Sequence, residues 1–233
     1  MATGMRWDLS NLMRTLSGGW SMNKILLVFF NILAGGILIA LSFTEALPLD
    51  PVDFLFFSFV GFLCALYRPG WVFLLLIGML PYEIISIAPE SFGFTLRPYQ
   101  WLVVLVALAL SVRFALKRFP VETFRPTLWD MPLVILVISA FFSALASSDQ
   151  ARALELSLIL ASFILLYFVC RVFIRSIDDV RMVLPFLFSS FLVVACYAIL
   201  QNILLLSGQE SLEVMAGRPN APLAEADWLG GYL

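Results

Sequence analysis

Long apolar runs alternate with short polar turns from residue 25 almost to the end of the chain. The runs cover 25–43, 54–66, 71–88, 99–116, 129–146, 154–174 and 183–206, and an eighth begins at Trp228 and stops after six residues. A helix needs about 20 mainly apolar residues to cross about 30 Å of hydrocarbon. No run shows the apolar–polar alternation over about 10 residues that marks a membrane barrel strand. The pattern therefore predicts an all-α fold, a polytopic transmembrane helical bundle of about seven spans plus the start of an eighth. Residues 1–24 read as a tail, 25–206 as the bundle, and 207–233 as an external loop leading into a further helix. Because the final stub cannot cross a bilayer, the sequence reads as an N-terminal fragment of a longer protein.

Two stretches leave alternatives open. The first run ends near Ala40, Ser42 and Ala46, as a cleaved signal peptide would, but it exceeds the usual 7–15 apolar residues and reads as an uncleaved anchor. The stretch 54–88 is interrupted by Tyr67-Arg68-Pro69-Gly70, a turn signal, and its second half contains Pro81 and Glu83. Two tilted crossings and one re-entrant hairpin both fit; either returns the chain to the side it left.

Composition agrees with the periodicity. Of 233 residues, 62% are hydrophobic and 13% charged, with mean hydropathy +0.99; soluble domains carry roughly 45–50% apolar and about 25% charged residues. So much apolar surface cannot be hidden in a core of this size. A soluble globular enzyme, a disordered chain and a basic nucleic-acid binder are excluded, and the partner implied is the lipid bilayer. Histidine is absent, which removes the commonest general base and transition-metal ligand. Cys64, Cys170 and Cys196 lie in apolar runs without metal or redox spacing and read as small buried hydrophobes. No metal constellation and no phosphate-binding glycine loop is visible, so neither metal nor cofactor is expected.

The net charge of −2 matters less than its distribution. Eleven of the 14 basic residues fall in the tail, the Arg68 turn, 113–130 and 171–181; Arg97, Arg152 and Arg218 fall on the other face. By the positive-inside rule the first set is cytoplasmic, which places the N-terminus inside. Ser139 with Ser143 and Ala140 with Ala144 have the four-residue spacing of a close helix contact. Asp178 reads as an N-cap, and Gln201-Asn202 as amides bonding across helices.

The external arginines are the candidate chemistry. Gly217-Arg218-Pro219-Asn220-Ala221-Pro222 is turn chemistry, and an arginine there offers a planar fork suited to phosphate or carboxylate. A solvated loop with Arg218 paired to Glu225 or Asp227 is the alternative. Arg97-Pro98-Tyr99-Gln100 opens a helix; Arg97 either joins Arg218 on a pyrophosphate or anchors the interface with Tyr99 and Trp101. Glu83 is an ionisable group near the membrane edge and a candidate by default, with a helix-end carboxylate in the interface as the favoured reading.

The phrase 217–222, followed by Glu225 and by Asp227-Trp228-Leu229-Gly230-Gly231-Tyr232-Leu233, resembles the O-antigen ligase and polymerase family. The interrupted hairpin at Arg68-Pro69, the Arg-Pro-Tyr entrance at 97–99 and a helix starting at Ala153-Leu154 agree in layout. The resemblance implies an inner-membrane glycosyltransferase in surface polysaccharide (O-antigen, lipopolysaccharide or exopolysaccharide) biosynthesis. It would take glycan from an undecaprenyl-pyrophosphate carrier at the periplasmic or exterior face. The acceptor would be a lipid A-core sugar, a growing polymer or a protein. Arg218, with Arg97, would bind the donor pyrophosphate, supported by Asn220 and Glu225. Members of that family carry a histidine on a later external loop, so this chain alone is expected to be inactive. A transporter or flippase subunit, or a non-catalytic membrane scaffold, are the competing classes.

Overall fold

The computed structural model describes residues 22–44, 46–117, 127–207 and 221–223. Seven helices account for most of this: α1 (Met22–Phe43), α2 (Pro51–Tyr67), α3 (Pro69–Gly78), α4 (Pro98–Ala115), α5 (Met131–Leu145), α6 (Gln150–Phe173) and α7 (Ile177–Leu206). No strand occurs among the described residues. Five helical segments, Lys24–Phe43, Pro98–Ala115, Leu128–Leu145, Gln150–Phe173 and Ile177–Leu206, are long and apolar enough to cross a membrane. α2 and α3 are shorter apolar helices. The fold is that of a helical membrane protein.

Local chemistry sets the helix starts. Proline occupies the first turn of α2, α3, α4 and α5, where its missing N–H has no intrahelical partner to lose. Two helices begin ahead of their apolar runs. Asp149 caps α6 by accepting from the Arg152 N–H at 3.1 Å. At α7 the cap is Ser176 rather than Asp178. Its hydroxyl accepts from the Asp179 N–H at 3.2 Å, and the Asp179 carboxylate accepts from the Ser176 N–H at 2.9 Å. That reciprocal pair is a capping box, while Asp178 pairs with Arg181 at the surface.

α3 is the hub. It packs against α1, α2, α4 and α7, and its Phe73 ring stacks on Phe173 at the end of α6; α6 in turn packs against α4, and α5 against α6. Eight of its ten residues are buried, among them Phe73, Leu74, Leu76 and Ile77. α2 and α4 run in parallel: Trp101 Nε1 donates to Ser58 Oγ at 2.8 Å, and Arg113 Nε to the Leu66 carbonyl at 2.9 Å. The chain between them returns from one end of α2 to the other. It does so as a half-length helix, about 15 Å at 1.5 Å per residue, followed by a buried non-helical segment, with Met79, Tyr82, Ile85, Ile87 and Ala88 at most 5% exposed. Residues 54–88 thus run along the bundle twice, first as α2 and then as α3 with the non-helical segment that follows it.

The outer surface is apolar: Phe29, Leu55, Phe142 and Phe188 are each more than half exposed, as expected of side chains that face lipid. Cys64 and Cys196 lie on that exterior and Cys170 is only partly covered, so the expected burial of the cysteines does not hold. Of the small-residue pairs, Ala144 is buried and Ala140 half-buried, while Ser139 and Ser143 face outward. Only the alanine row faces α6.

Candidate functional site

The broken segment after α3 is the place where polar groups from several elements converge. α3 ends beside Asn31 of α1: a Cβ on Gly78 would lie 2.0 Å from Asn31 Oδ1. Asn31 Nδ2 donates to Ser189 Oγ at 2.6 Å and to the Phe186 carbonyl at 3.3 Å. Asn31 lies nine residues into α1 and Phe186 nine into α7. This contact is therefore about 14 Å from the N-terminal ends of both helices. One turn further along α1, the Tyr82 hydroxyl fills the notch at Gly35, where an added Cβ would be 2.0 Å from it.

Backbone in this setting must find partners inside the protein, and a distant part of the chain supplies them. The Pro222 carbonyl accepts from the Glu83 N–H at 2.9 Å and from the Ile84 N–H at 3.2 Å. The Ala221 N–H donates to Gln201 Oε1 of α7 at 2.7 Å. Ala221, Pro222 and Leu223 are all buried, as is Gln201. Ala221 holds φ +51, a left-handed conformation costing a non-glycine residue roughly 1–2 kcal/mol; the docked contacts offset that cost. The rest of the break is tied by the Ile87 N–H to the Leu96 carbonyl at 2.9 Å.

Each residue singled out by sequence can be placed against this arrangement. Arg97 is half-buried at the head of α4. Its N–H donates to Gln100 Oε1 at 2.9 Å and its Nη1 approaches the Tyr99 hydroxyl at 3.5 Å. Gln100 Nε2 donates to Ser162 Oγ at 3.3 Å, and the Tyr99 ring stacks on Phe163 at 5.8 Å. Tyr99 is 1% exposed, and Trp101 is half-buried and bonds to Ser58. Thr95 Oγ1 reaches Glu155 Oε1 at 2.7 Å. With 95 beside 155 and 100 beside 162, Arg97 lies roughly 12 Å below the start of α6. Glu83 is not at a helix end; it sits five residues past α3 with Oε2 enclosed. Gln201 accepts from the Ala221 N–H of the returning chain, and Asn202 is exposed.

Arg218, Asn220 and Glu225 lie outside the described residues, as do the apposition of Arg97 with Arg218 and the stub at 228–233. The structure does describe the end of the same motif, Ala221-Pro222, seated on the break. Asn31, Tyr82 and the role of Gln201 escaped the sequence reading. Their only signals were a lone amide inside an apolar run and glycines at 35 and 78. Among the described residues no group of three His, Cys, Asp or Glu side chains could hold a metal ion. A second polar cluster, Asp130 with Arg171, Tyr167 and Thr127, fastens α5 to α6 at the opposite end.

No protein-family model matches the chain, and no curated protein and no solved structure is similar to it. The class stands on the fold alone: among the described residues, an all-helical membrane protein built around a short central helix.

Proposed function

We propose that this protein is a membrane glycan transferase that handles undecaprenyl-pyrophosphate-linked sugars in surface polysaccharide synthesis. The observation that carries this reading is the seating of Ala221-Pro222 on the broken segment beside Glu83. Arg218 precedes Ala221 by three residues, and three residues span at most about 11 Å. A segment this close in the chain to buried non-helical backbone supports a site there, because membrane proteins keep such backbone only where protein covers it or where it lines a cavity. In this reading seven crossings and the start of an eighth put the N-terminus in the cytoplasm of a bacterium and the break on the periplasmic or exterior side. Arg218 and Arg97 stabilise charge developing on the pyrophosphate leaving group, with Asn220 and Glu225 in support. The acceptor is a glycan, a lipid A-core sugar or a protein.

The test is Arg218→Ala in the complete protein. Surface polysaccharide is lost while the variant still accumulates in the membrane. Normal polysaccharide would remove the basis of the proposal.

A specific feature also favours transport. Half-helices ending near mid-depth are the usual frame of transporter sites, and α3 is one. Proteoliposomes holding the wild-type protein and a fluorescent lipid-linked sugar separate the two readings: transbilayer movement without glycan transfer supports a flippase.

A further inference from the structure

The end of the bundle where α3 begins carries most of the described cations. The Phe73 ring near the start of α3 stacks on Phe173 at the end of α6, with ring centres 4.4 Å apart. Arg113, near the end of α4, donates to the Leu66 and Tyr67 carbonyls at the end of α2, at 2.9 and 3.2 Å. Asp130, just ahead of α5, pairs with Arg171 of α6. Asn31 and Phe186, each nine residues into its helix, bring the starts of α1 and α7 to the same end. Arg68, Arg113 and Lys117 therefore share this end with Lys24, Arg171, Arg175 and Arg181. Among the described residues, the carboxylates there are Asp130, Asp178 and Asp179. All three are on or beside α5 and α7 and are engaged there: Asp130 by Arg171, Asp178 by Arg181, and Asp179 by the Arg175 and Ser176 N–H groups.

The cations of α2–α4 have no acidic neighbour on their own helices near this end. The sequence holds no Asp or Glu from Phe54 to Tyr82 or from Pro98 to Val121. Arg68 closes α2 and opens α3. Its guanidinium carbon lies over two rings, 5.3 Å from the centre of Tyr67 and 5.2 Å from that of Trp71, contacts that use no N–H donor. Arg113 sits beside the same helix end, and Lys117 follows it about one turn later. Tyr67, Trp71, Phe114 and Leu116 are exposed around them. Aromatic rings beside cations at the end of an apolar bundle mark the level of lipid headgroups, and basic sites between helices at that level hold anionic ones. We infer that the corner formed by the ends of α2 and α4 and the start of α3 binds the headgroup of an anionic phospholipid. The Arg68 guanidinium offers paired N–H donors to the phosphate oxygens, Lys117 adds a mobile point charge, and Arg113, which holds the α2 carbonyls, adds charge alone. The acyl chains lie along the outer apolar surface of α2 and α4. This inference stands apart from the transferase reading.

The experiment takes the complete protein in neutral detergent and titrates it with phosphatidylglycerol or phosphatidylcholine, counting bound lipids by native mass spectrometry. Arg68→Gln, Lys117→Gln and the double variant are compared with Arg152→Gln, which removes an exposed cation from the opposite end. Wild type is expected to retain phosphatidylglycerol in preference to phosphatidylcholine, and to lose that preference as salt screens the exposed charges. A cation near an anionic surface is worth roughly fivefold in partitioning, so each single variant should bind phosphatidylglycerol about fivefold more weakly and the double variant about 10- to 25-fold. Arg152→Gln should match wild type. If Arg68→Gln fails to fold for loss of its ring contacts, Lys117→Gln, at an exposed position, carries the test alone. Equal retention of the two lipids by wild type, or a preference unchanged in the double variant, overturns the inference. An equal loss in Arg152→Gln also overturns it, since a positive charge anywhere would then suffice. Displacement of the lipid by an equal concentration of inorganic phosphate would assign the corner to a soluble anion and overturn the lipid assignment.

Discussion

Replacing Gly78 by alanine tests the central contact of the bundle. Its new methyl would stand 2.0, 2.1 and 2.3 Å from Asn31 Oδ1, Nδ2 and Cγ, all far inside van der Waals range. Asn31 has little freedom to yield, since its amide is bonded to Ser189 and Phe186 and is 3% exposed. Overpacking of this kind costs about 1–3 kcal/mol, and displacement of the amide loses a buried hydrogen bond worth about 1 kcal/mol. Against that, alanine gains at most about 1 kcal/mol of helix propensity over glycine. The net expectation is a loss of about 1–3 kcal/mol, read as a lower unfolding midpoint in detergent. The double variant Gly78→Ala with Asn31→Ala removes the obstruction, so the two changes should couple by at least 1 kcal/mol relative to their sum. Additive losses, or a Gly78→Ala protein as stable as wild type, would refute the close approach of α1 and α3.

Other outcomes follow from the same geometry. Gly35→Ala should destabilise, and Tyr82→Phe in the same chain should recover part of the loss, because the hydroxyl oxygen is the nearest obstruction at 2.0 Å; thermal melts of the single and double variants check this. Asp130→Ala strips partners from Arg171, Tyr167 and Thr127; with Arg171 one-third exposed, the expected cost is below the roughly 3–5 kcal/mol of a fully buried pair, about 2 kcal/mol by denaturant midpoint. Cys64→Ala and Cys196→Ala, both at exterior positions, should each change stability by no more than about 0.5 kcal/mol, measured the same way.

What could be read in the sequence was whatever local chemistry decides. The turn at Arg68-Pro69-Gly70 separates α2 from α3 because a proline can begin a helix but not continue one. The apolar runs mark the long helices to within a turn, and the discrepancies at 149–153 and 176–182 arise because polar capping residues extend a helix beyond its apolar part. The end of α3 was legible only in part: Pro81, two residues past Met79, is a local stop signal. The course of the segment after it was not, since Tyr82 fits against Gly35 and the Glu83 and Ile84 N–H groups bond to Pro222, about 140 residues away in the chain. In the same way, the contacts of Tyr99 with Phe163 and of Trp101 with Ser58 lie on helices that periodicity cannot place beside them. Gln201 was visible as a polar residue in an apolar helix, but its partner lies beyond the end of that helix.

The account depends on the motif turn being seated on the break. In a chain with Cys64, Cys170 and Cys196 replaced, cysteines at Ile84 and Pro222 can be joined by a short thiol-reactive linker in intact membranes, with a pair at Ser58 and Trp101 as the positive control. An intramolecular cross-link between 84 and 222, identified by mass spectrometry after proteolysis, is the predicted result. Cross-linking of the control pair alone would contradict the account, since it would place the turn away from Glu83 and remove the observation that supports the proposed function.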